Sequence, residues 1–564
     1  MKFNEFKYER PDYDKIKKSI DSLVNELKVS PSCEKQLDCI NRINHIRNHL
    51  QTMGTLAEIR HSINTKDKYY DKERAYWDEY SPLYDELDFT FYKELVQSKF
   101  RKKLEEKLGT QFFTLAEFSL KAFSPKVIEE LQFENKLSSE YTKLLASAKI
   151  PFMGETRNLS GLTPFMQSKD REIRKNASDA KYKFFADHED QIDKIYDDLV
   201  KVRTKIAKKL GLKNFVELGY IRMKRSDYTP EMVSDFRKQV QKYLVPAASD
   251  LYERQRRRLG LGSLTYYDES FEFTTGNAKP KGSPNWIVES ADKMYSELSQ
   301  ETGEFFNFML KEELLDLVTK ENKAGGGYCT YIPDYKAPFI FSNFNGTSGD
   351  VDVLTHEAGH AFQAYLSRWI EIPECIFPTY ESCEIHSMSM EFFTWPWMNL
   401  FFHEDADKYK FAHLESAVKF IPYGVTVDEF QHYVYENPEA TPEDRKAAWR
   451  NIEKKYLPHK NYTGCSFLER GGWWFQQSHI FNVPFYYIDY TLAQICALQF
   501  WKKAMDNKKS AWEDYIKICR AGGTKSFLGI VETANLRSPF QNGCISSIMK
   551  PINEWFNSID DKKL

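Results

Sequence analysis

The chain of 564 residues has no C-x-x-C pair. Its nine cysteines (Cys33, Cys39, Cys329, Cys375, Cys383, Cys465, Cys496, Cys519, Cys544) are scattered and odd in number, which argues against a disulfide scaffold and for reduced, mostly buried thiols. No window reaches the roughly 18 apolar residues a membrane helix needs, so no membrane partner is expected. Neither charge sign dominates. The formal net charge is -3 with no basic tail or stripe, which removes nucleic acid from the expected partners. The opening residues Met1 to Arg10 carry no apolar signal core, and with the reduced cysteines this predicts a cytoplasmic protein. What the chain does have is ordinary for a large soluble globular protein: 41% apolar and 29% charged residues, enough to fold several lobes. Aromatics are abundant at 15%, most of it material for a core.

Histidine is scarce, 12 of 564, yet His356, Glu357 and His360 spell H-E-x-x-H. The surrounding stretch Asp350 to Leu366 reads as a helix. Leu354, Ala358, Ala361, Phe362, Tyr365 and Leu366 recur at helical spacing, and Thr347 to Asp350 offer capping residues. Asp350 and Asp352 sit at the positive end of the helix dipole. One turn apart, His356 and His360 point the same way and can hold one Zn²⁺, and Glu357 beside them can take a proton from water at the metal. Gly359 costs helix stability, which suggests a neighbour packed close to that face.

A catalytic zinc takes three protein ligands and leaves one position for water. Thr379 to Trp395 reads as a second helix with Glu384, Met388 and Glu391 near one face, and Glu384 lies 24 positions beyond His360. With the motif His356-Glu357-Ala358-Gly359-His360 and the segment Glu384-Ile-His-Ser-Met-Ser-Met-Glu391, the chain resembles the oligopeptidase family of zinc metallopeptidases that includes thimet oligopeptidase and oligoendopeptidase F, closest to the latter branch. The resemblance implies Glu384 as third ligand. It offers Glu391 as a partner orienting a ligand histidine, with a solvated helix charge as the alternative. His386 is expected to pack or support, Glu381 to lie at the surface, and Cys383 is the thiol to watch for oxidation or heavy metals.

In chain order, residues 13–150 are almost continuous helix material punctuated by Pro31, Pro82 and Pro125. Turn residues around 149–165 mark a boundary, giving an N-terminal helical region 1–165 and a catalytic region 166–564. Residues 192–210 form a core-facing helix, Arg254 to Arg258 a solvent-facing one, and a long helix is expected from Trp286 to about Leu310. Ala324 to Gly346 is the one clear β region, with strands at Tyr328–Ile332 and 338–344 joined by a turn at Pro333-Asp334. It is either a small structural hairpin or a strand, 338–345, that pairs with a bound peptide by strand addition. Proline breaks are expected at 422, 438, 442 and 458.

The segment Arg470 to Tyr490 is rich in aromatics, usually a sign of core. The family resemblance gives it a role, because His479, Tyr487 and Tyr490 match a histidine followed by a Tyr-x-x-Tyr segment that faces the zinc. His479 and Tyr490 are then transition-state donors and Tyr487 a substrate contact or donor, with Tyr486 as a substitute. The resemblance as a whole implies a mainly α, two-lobed metallopeptidase with a small β-sheet beside the H-E-x-x-H helix and a deep channel. Its expected cofactor is one Zn²⁺ per chain and its expected activity the hydrolysis of internal bonds in short unstructured oligopeptides. A helical zinc metallocarboxypeptidase and a noncatalytic peptide-binding protein with a structural metal are the alternatives. Oligomeric state is left open.

Overall fold

A computed structural model describes the whole chain, residues 1–564. It holds 24 α-helices and two small sheets. The first long helices, Tyr13–Val29, Cys33–Ile63 and Lys68–Val96, each start at a residue whose side chain accepts a backbone N–H of the first turn: Asp12, Ser32 and Asp67. Pro82 does not break the chain as the sequence suggests. It lies inside Lys68–Val96. A proline there leaves the carbonyl four residues back without its helical donor, and Asn135 Nδ2 supplies one to Asp78 O at 3.2 Å. Pro422 likewise sits inside a helix, Ala406–Glu436. The expected long helix from Trp286 is two, Pro284–Leu298 and Gln300–Lys311. Ser299 adopts an extended backbone between them and caps the second through its hydroxyl. Arg258 also departs from the expected solvent-facing helix. It is buried against Glu415 and Asp561, at 3.1 and 2.5 Å.

The apolar interior divides in two. A small core gathers the first N-terminal helices with Tyr331, Ala364, Ile370, Cys375 and Ile376, and a large core takes the rest, including helix Ile128–Ala146. Within the small core Arg47 ties the N-terminal helices to the segment after the motif helix, its Nη2 reaching Glu374 Oε1 at 2.5 Å while its Nε holds Asp88 at 2.8 Å. The N-terminal helices therefore brace the segment that follows the H-E-x-x-H helix.

The turn-rich stretch near residue 150 forms a hairpin, β1 (Ile150–Phe152) with β2 (Glu155–Arg157). The second sheet has three strands, β3 (Leu315–Val318), β4 (Tyr328–Ile332) and β5 (Ala337–Phe344), in the order β3-β5-β4. β4 and β5 pair antiparallel with Tyr328 opposite Phe341, as the alternation of residues suggests. β3, too short to be read from sequence, pairs parallel to β5 with Leu315 opposite Ile340. β5 is thus the central strand, paired on both sides at Ile340 and Phe341. It has no open edge there for the strand addition expected of 338–345, and the free edge next to the motif helix belongs to β4.

Three helices complete the centre: the motif helix Gly349–Ser367, the ligand helix Tyr380–Phe393, and the tyrosine helix Tyr487–Ala521. The ligand helix is buried along nearly its whole length. It meets the motif helix at Gly359, where an added Cβ would come within 2.6 Å of Ser387 Cα and 2.7 Å of His386 O. Alanine is the better helix former by about 1 kcal/mol, but overpacking against backbone costs about 1–3 kcal/mol. Gly359→Ala should therefore lower the melting temperature in calorimetry, and an equal or higher value would contradict this packing argument.

Candidate active site

The motif helix begins where β5 ends. Asp350 ties the junction by accepting the backbone N–H groups of Asn345 and Gly346 at 2.8 and 2.9 Å. Two turns on, His356 and His360 direct their Nε2 atoms at Glu384 Oε2, at 3.1 and 3.5 Å. A tetrahedral cation with bonds of about 2.0–2.1 Å spaces its donors about 3.3 Å apart, so this set fits a zinc-sized ion without a helix moving. It is the one group of three His, Cys, Asp or Glu residues in the chain whose ligand atoms lie within 4.8 Å of one another.

Burial opposes charge on His356, but the hydrogen bonds and charges of Glu384 and Glu391 outweigh it and hold the imidazole well above its usual range. Burial likewise works against the Glu384 carboxylate, and the two histidines overcome it and hold its acid well below the usual range. A shared proton here is what a divalent cation would displace. Glu357 is buried beside them. Burial pushes its carboxyl up while His356 and His360 pull it back.

Two of the three candidate ligands are held from behind. Glu384 Oε2 accepts Ser387 Oγ at 2.9 Å and Oε1 accepts the Tyr486 hydroxyl at 2.5 Å. Tyr486, considered above as a substitute transition-state donor, is committed to a ligand instead. His356 Nδ1 donates to Glu391 Oε1 at 2.7 Å, and Glu391 Oε2 takes His413 Nε2 at 2.7 Å. Glu391 is therefore no solvated charge. Trp395 Nε1, which can only donate, approaches His413 Nδ1 at 3.2 Å. Burial and Glu391 pull the His413 imidazole in opposite directions with a net upward shift. The indole N–H nonetheless occupies the lone pair that a second proton would need, so His413 is a neutral donor and the Glu391 charge is left for His356. His413 was missed in the sequence because it lies 22 positions from Glu391. Trp395, one helical turn past Glu391, was the available clue.

A second chain of hydrogen bonds aims Tyr490. The Tyr423 hydroxyl donates to Gln477 Oε1 at 2.8 Å, which fixes the amide so that its Nε2 donates to His479 Nδ1 at 2.9 Å. His479 Nε2 then carries the hydrogen and meets the Tyr490 hydroxyl oxygen at 3.1 Å. Burial lowers His479 to about 4, so it is neutral. Burial, then the Glu384 charge, raises the Tyr490 phenol well above its usual value and keeps it an O–H donor with its proton unspent.

Two sequence expectations fail here. Glu381 is fully buried, because the tyrosine helix covers the face that would have met solvent, and burial followed by the Asp489 charge holds its carboxyl well above the usual range. Cys383 is buried with its Sγ on Pro378 O at 3.4 Å, and burial with Glu384 raises the thiol, leaving it a poor nucleophile. His386 is buried and bonded to Ser382 O at 2.7 Å, a packing residue as expected.

Two cavities meet at this centre and share His356, His479 and Tyr490. One, about 480 Å³, is lined by Glu357, His360, Glu384, Tyr486 and the start of β4 at Tyr328 and Cys329. The other, about 580 Å³, lies on the Tyr487 side.

Comparison with known proteins matches the description "Peptidase family M3" over residues 164–550 and "Peptidase M3 N-terminal domain" over residues 3–123. The chain belongs to peptidase family M3. Among curated relatives of this M3 peptidase, an oligoendopeptidase F homolog of Borreliella burgdorferi is 25% identical over 422 residues, covering 70% of this chain and 68% of that protein. Oligopeptidase PepF of Bacillus subtilis is 22% identical, covering 66% and 55%. Among solved structures, PZ peptidase A with an inhibitor is 59% identical over the full length of both chains with a TM-score of 0.99. A candidate oligoendopeptidase F from Bacillus anthracis str. Ames is 59% identical with a TM-score of 0.95, covering 100% of this chain and 99% of that one. The M3 peptidase is thus a peptide-bond hydrolase of the metallo-oligopeptidase kind, on the oligoendopeptidase F branch, and no helix in it is long and apolar enough to cross a membrane.

If Glu391 orients His356, Glu391→Gln should weaken zinc binding about 10- to 100-fold in competition with a chelator, the usual cost of losing such a partner. Affinity within about twofold of the parent would contradict that role.

Proposed function

We propose that the chain is a zinc-dependent endopeptidase that hydrolyses internal bonds of short, unstructured oligopeptides. The observation that carries this is the set His356 Nε2, His360 Nε2 and Glu384 Oε2, spaced for one small cation and opening on a cavity that Glu357 lines. One zinc ion per chain, held by those three residues, would supply Lewis-acid polarisation of the scissile carbonyl and acidification of a water.

The chain's own residues do the rest. Glu357 takes a proton from the attacking water and passes it to the leaving amine. Burial, which disfavours its charged form, makes it a stronger base than an exposed glutamate. Tyr490 donates its free O–H to the carbonyl oxygen as negative charge builds there, and His479 holds the phenol in place and is the reserve donor. Tyr487, on the wall of the larger cavity, contacts substrate. The free edge of β4, where Tyr328 and Cys329 line the cavity, offers backbone pairing that does not depend on substrate sequence. Residues 1–165 form one wall of a channel and residues 166–564 carry the chemistry, an arrangement of two lobes that admits unfolded peptides and excludes folded proteins. The absence of any helix able to span a membrane accords with action in the cytoplasm.

Glu357→Gln should keep its zinc and lose turnover, measured as metal content beside peptide hydrolysis. Full activity would refute the base assignment. Tyr490→Phe should lower kcat about 10²- to 10³-fold with little change in KM, the usual cost of one oxyanion donor. Peptides blocked at both ends should still be cut internally. Failure on these with success on free C-termini would make the enzyme a carboxypeptidase.

A further inference from the structure

The two cavities at the catalytic centre differ by a cation. The smaller one is lined by Lys224, which forms no ion pair, and by the carboxylates of Glu357, Glu374 and Glu384, of which Glu374 is bound to Arg47 and Glu384 faces the two histidines. The larger one is lined by Glu272, Asp352 and Glu391 and by no lysine or arginine. Of these carboxylates, Glu391 has both oxygens engaged by His356 and His413, and Asp352 has one engaged by the Tyr409 hydroxyl at 2.6 Å. Glu272 has no hydrogen-bond donor on either oxygen.

The cations nearest Glu272 are spent elsewhere. Arg258 holds Glu415 and Asp561 at 3.1 and 2.5 Å, and Lys419 holds Glu415 and Gln255, both at 2.9 Å. Burial, then the Glu415 charge, pushes Glu272 up to about 7, and burial pushes Asp352 up to about 6. Both carboxylates thus stand in an environment short of positive charge, and a cation entering the cavity would relieve it. Neither residue belongs to a group of three close ligand atoms, so the lining offers no ready-made metal cage, and an organic cation is the better fit.

A second feature points to an organic ligand. Gln494 lines the same cavity, is 6% exposed, and its amide Nε2 has no partner. A buried unpaired amide costs stability unless something binds it, and a peptide carbonyl is the acceptor it suits. The lining also includes Ser270 and Ser416, polar groups suited to a peptide rather than to a greasy side chain.

We propose that this cavity is a subsite for a cationic group of the substrate, a lysine or arginine side chain or the peptide's amino terminus, with Glu272 as the residue that selects it and Gln494 as a backbone anchor. The proposal rests on the peptidase reading above and adds a substrate preference to it. Glu272 acts on recognition and takes no part in proton transfer.

The test uses the zinc-loaded full-length enzyme and a set of internally quenched peptides, identical except for lysine, norleucine or glutamate at one position, scanned through the residues flanking the cleaved bond. The parent should favour lysine over norleucine about tenfold in kcat/KM at one position, the preference falling to about twofold or less in Glu272→Gln. Glu272→Lys should reverse it so that glutamate is favoured there. Repeating the set with acetylated amino termini separates the two sources of charge. A drop in kcat/KM on acetylation that Glu272→Gln abolishes assigns the subsite to the terminal amine, and a lysine preference that survives acetylation assigns it to a side chain. A parent blind both to side-chain charge at every position and to acetylation, or a charge preference that persists unchanged in both variants, overturns the subsite and leaves the peptidase intact. Cleavage of no member of the set overturns the peptidase reading and the subsite with it.

Discussion

The motif helix and the ligand helix touch backbone to backbone at Gly359 and Ser387, and the rest of the site follows from that contact. A carboxylate reaches only a few ångströms from its helix axis. With any side chain at position 359 the two helices would stand further apart, and Glu384 could not meet both imidazoles at 3.1 and 3.5 Å. The close approach has a thermodynamic cost, since glycine weakens a helix interior. It is offset by the almost complete burial of the ligand helix between the motif and tyrosine helices.

Two hydrogen-bond chains converge on this crossing by the same device. In one, Trp395 fixes His413, which donates to Glu391, which accepts from His356. In the other, Tyr423 fixes Gln477, which donates to His479, which meets Tyr490. The first chain starts from an indole N–H, which can only donate, and the second from a tyrosine hydroxyl, and each passes through an imidazole bonded at both ring nitrogens. The first leaves a negative charge behind a metal ligand. The second leaves a phenolic proton pointing into the cavity.

The sequence was most legible where chemistry and local period coincide. The H-E-x-x-H helix, its partner helix with Glu384 and Glu391, the β4–β5 hairpin and the peptidase family could all be read from spacing and motif. It was least legible where the outcome depends on what a distant segment covers. Glu381 reads as a surface charge until the tyrosine helix, more than 100 positions later, is laid over it. β5 reads as an edge strand until β3, a four-residue strand with little signal of its own, occupies its other side. Pro82 reads as a helix break because the donor that rescues the helix, Asn135, is on another helix. His413 and Gln477 carry no motif. Their roles exist only in the geometry of the hydrogen bonds they pass on.

The centre joins two cavities, one with Lys224 in its wall and one with no lysine or arginine, which makes it a site with a direction as well as a chemistry. All of this presupposes that the three donors share one ion. The most direct measurement is X-ray diffraction at the zinc absorption edge on crystals grown with the metal. The account predicts one anomalous peak per chain, about 2.0–2.1 Å from His356 Nε2, His360 Nε2 and a Glu384 oxygen, with the fourth direction facing solvent. A peak elsewhere, or a fourth protein side chain closing that direction, would contradict it.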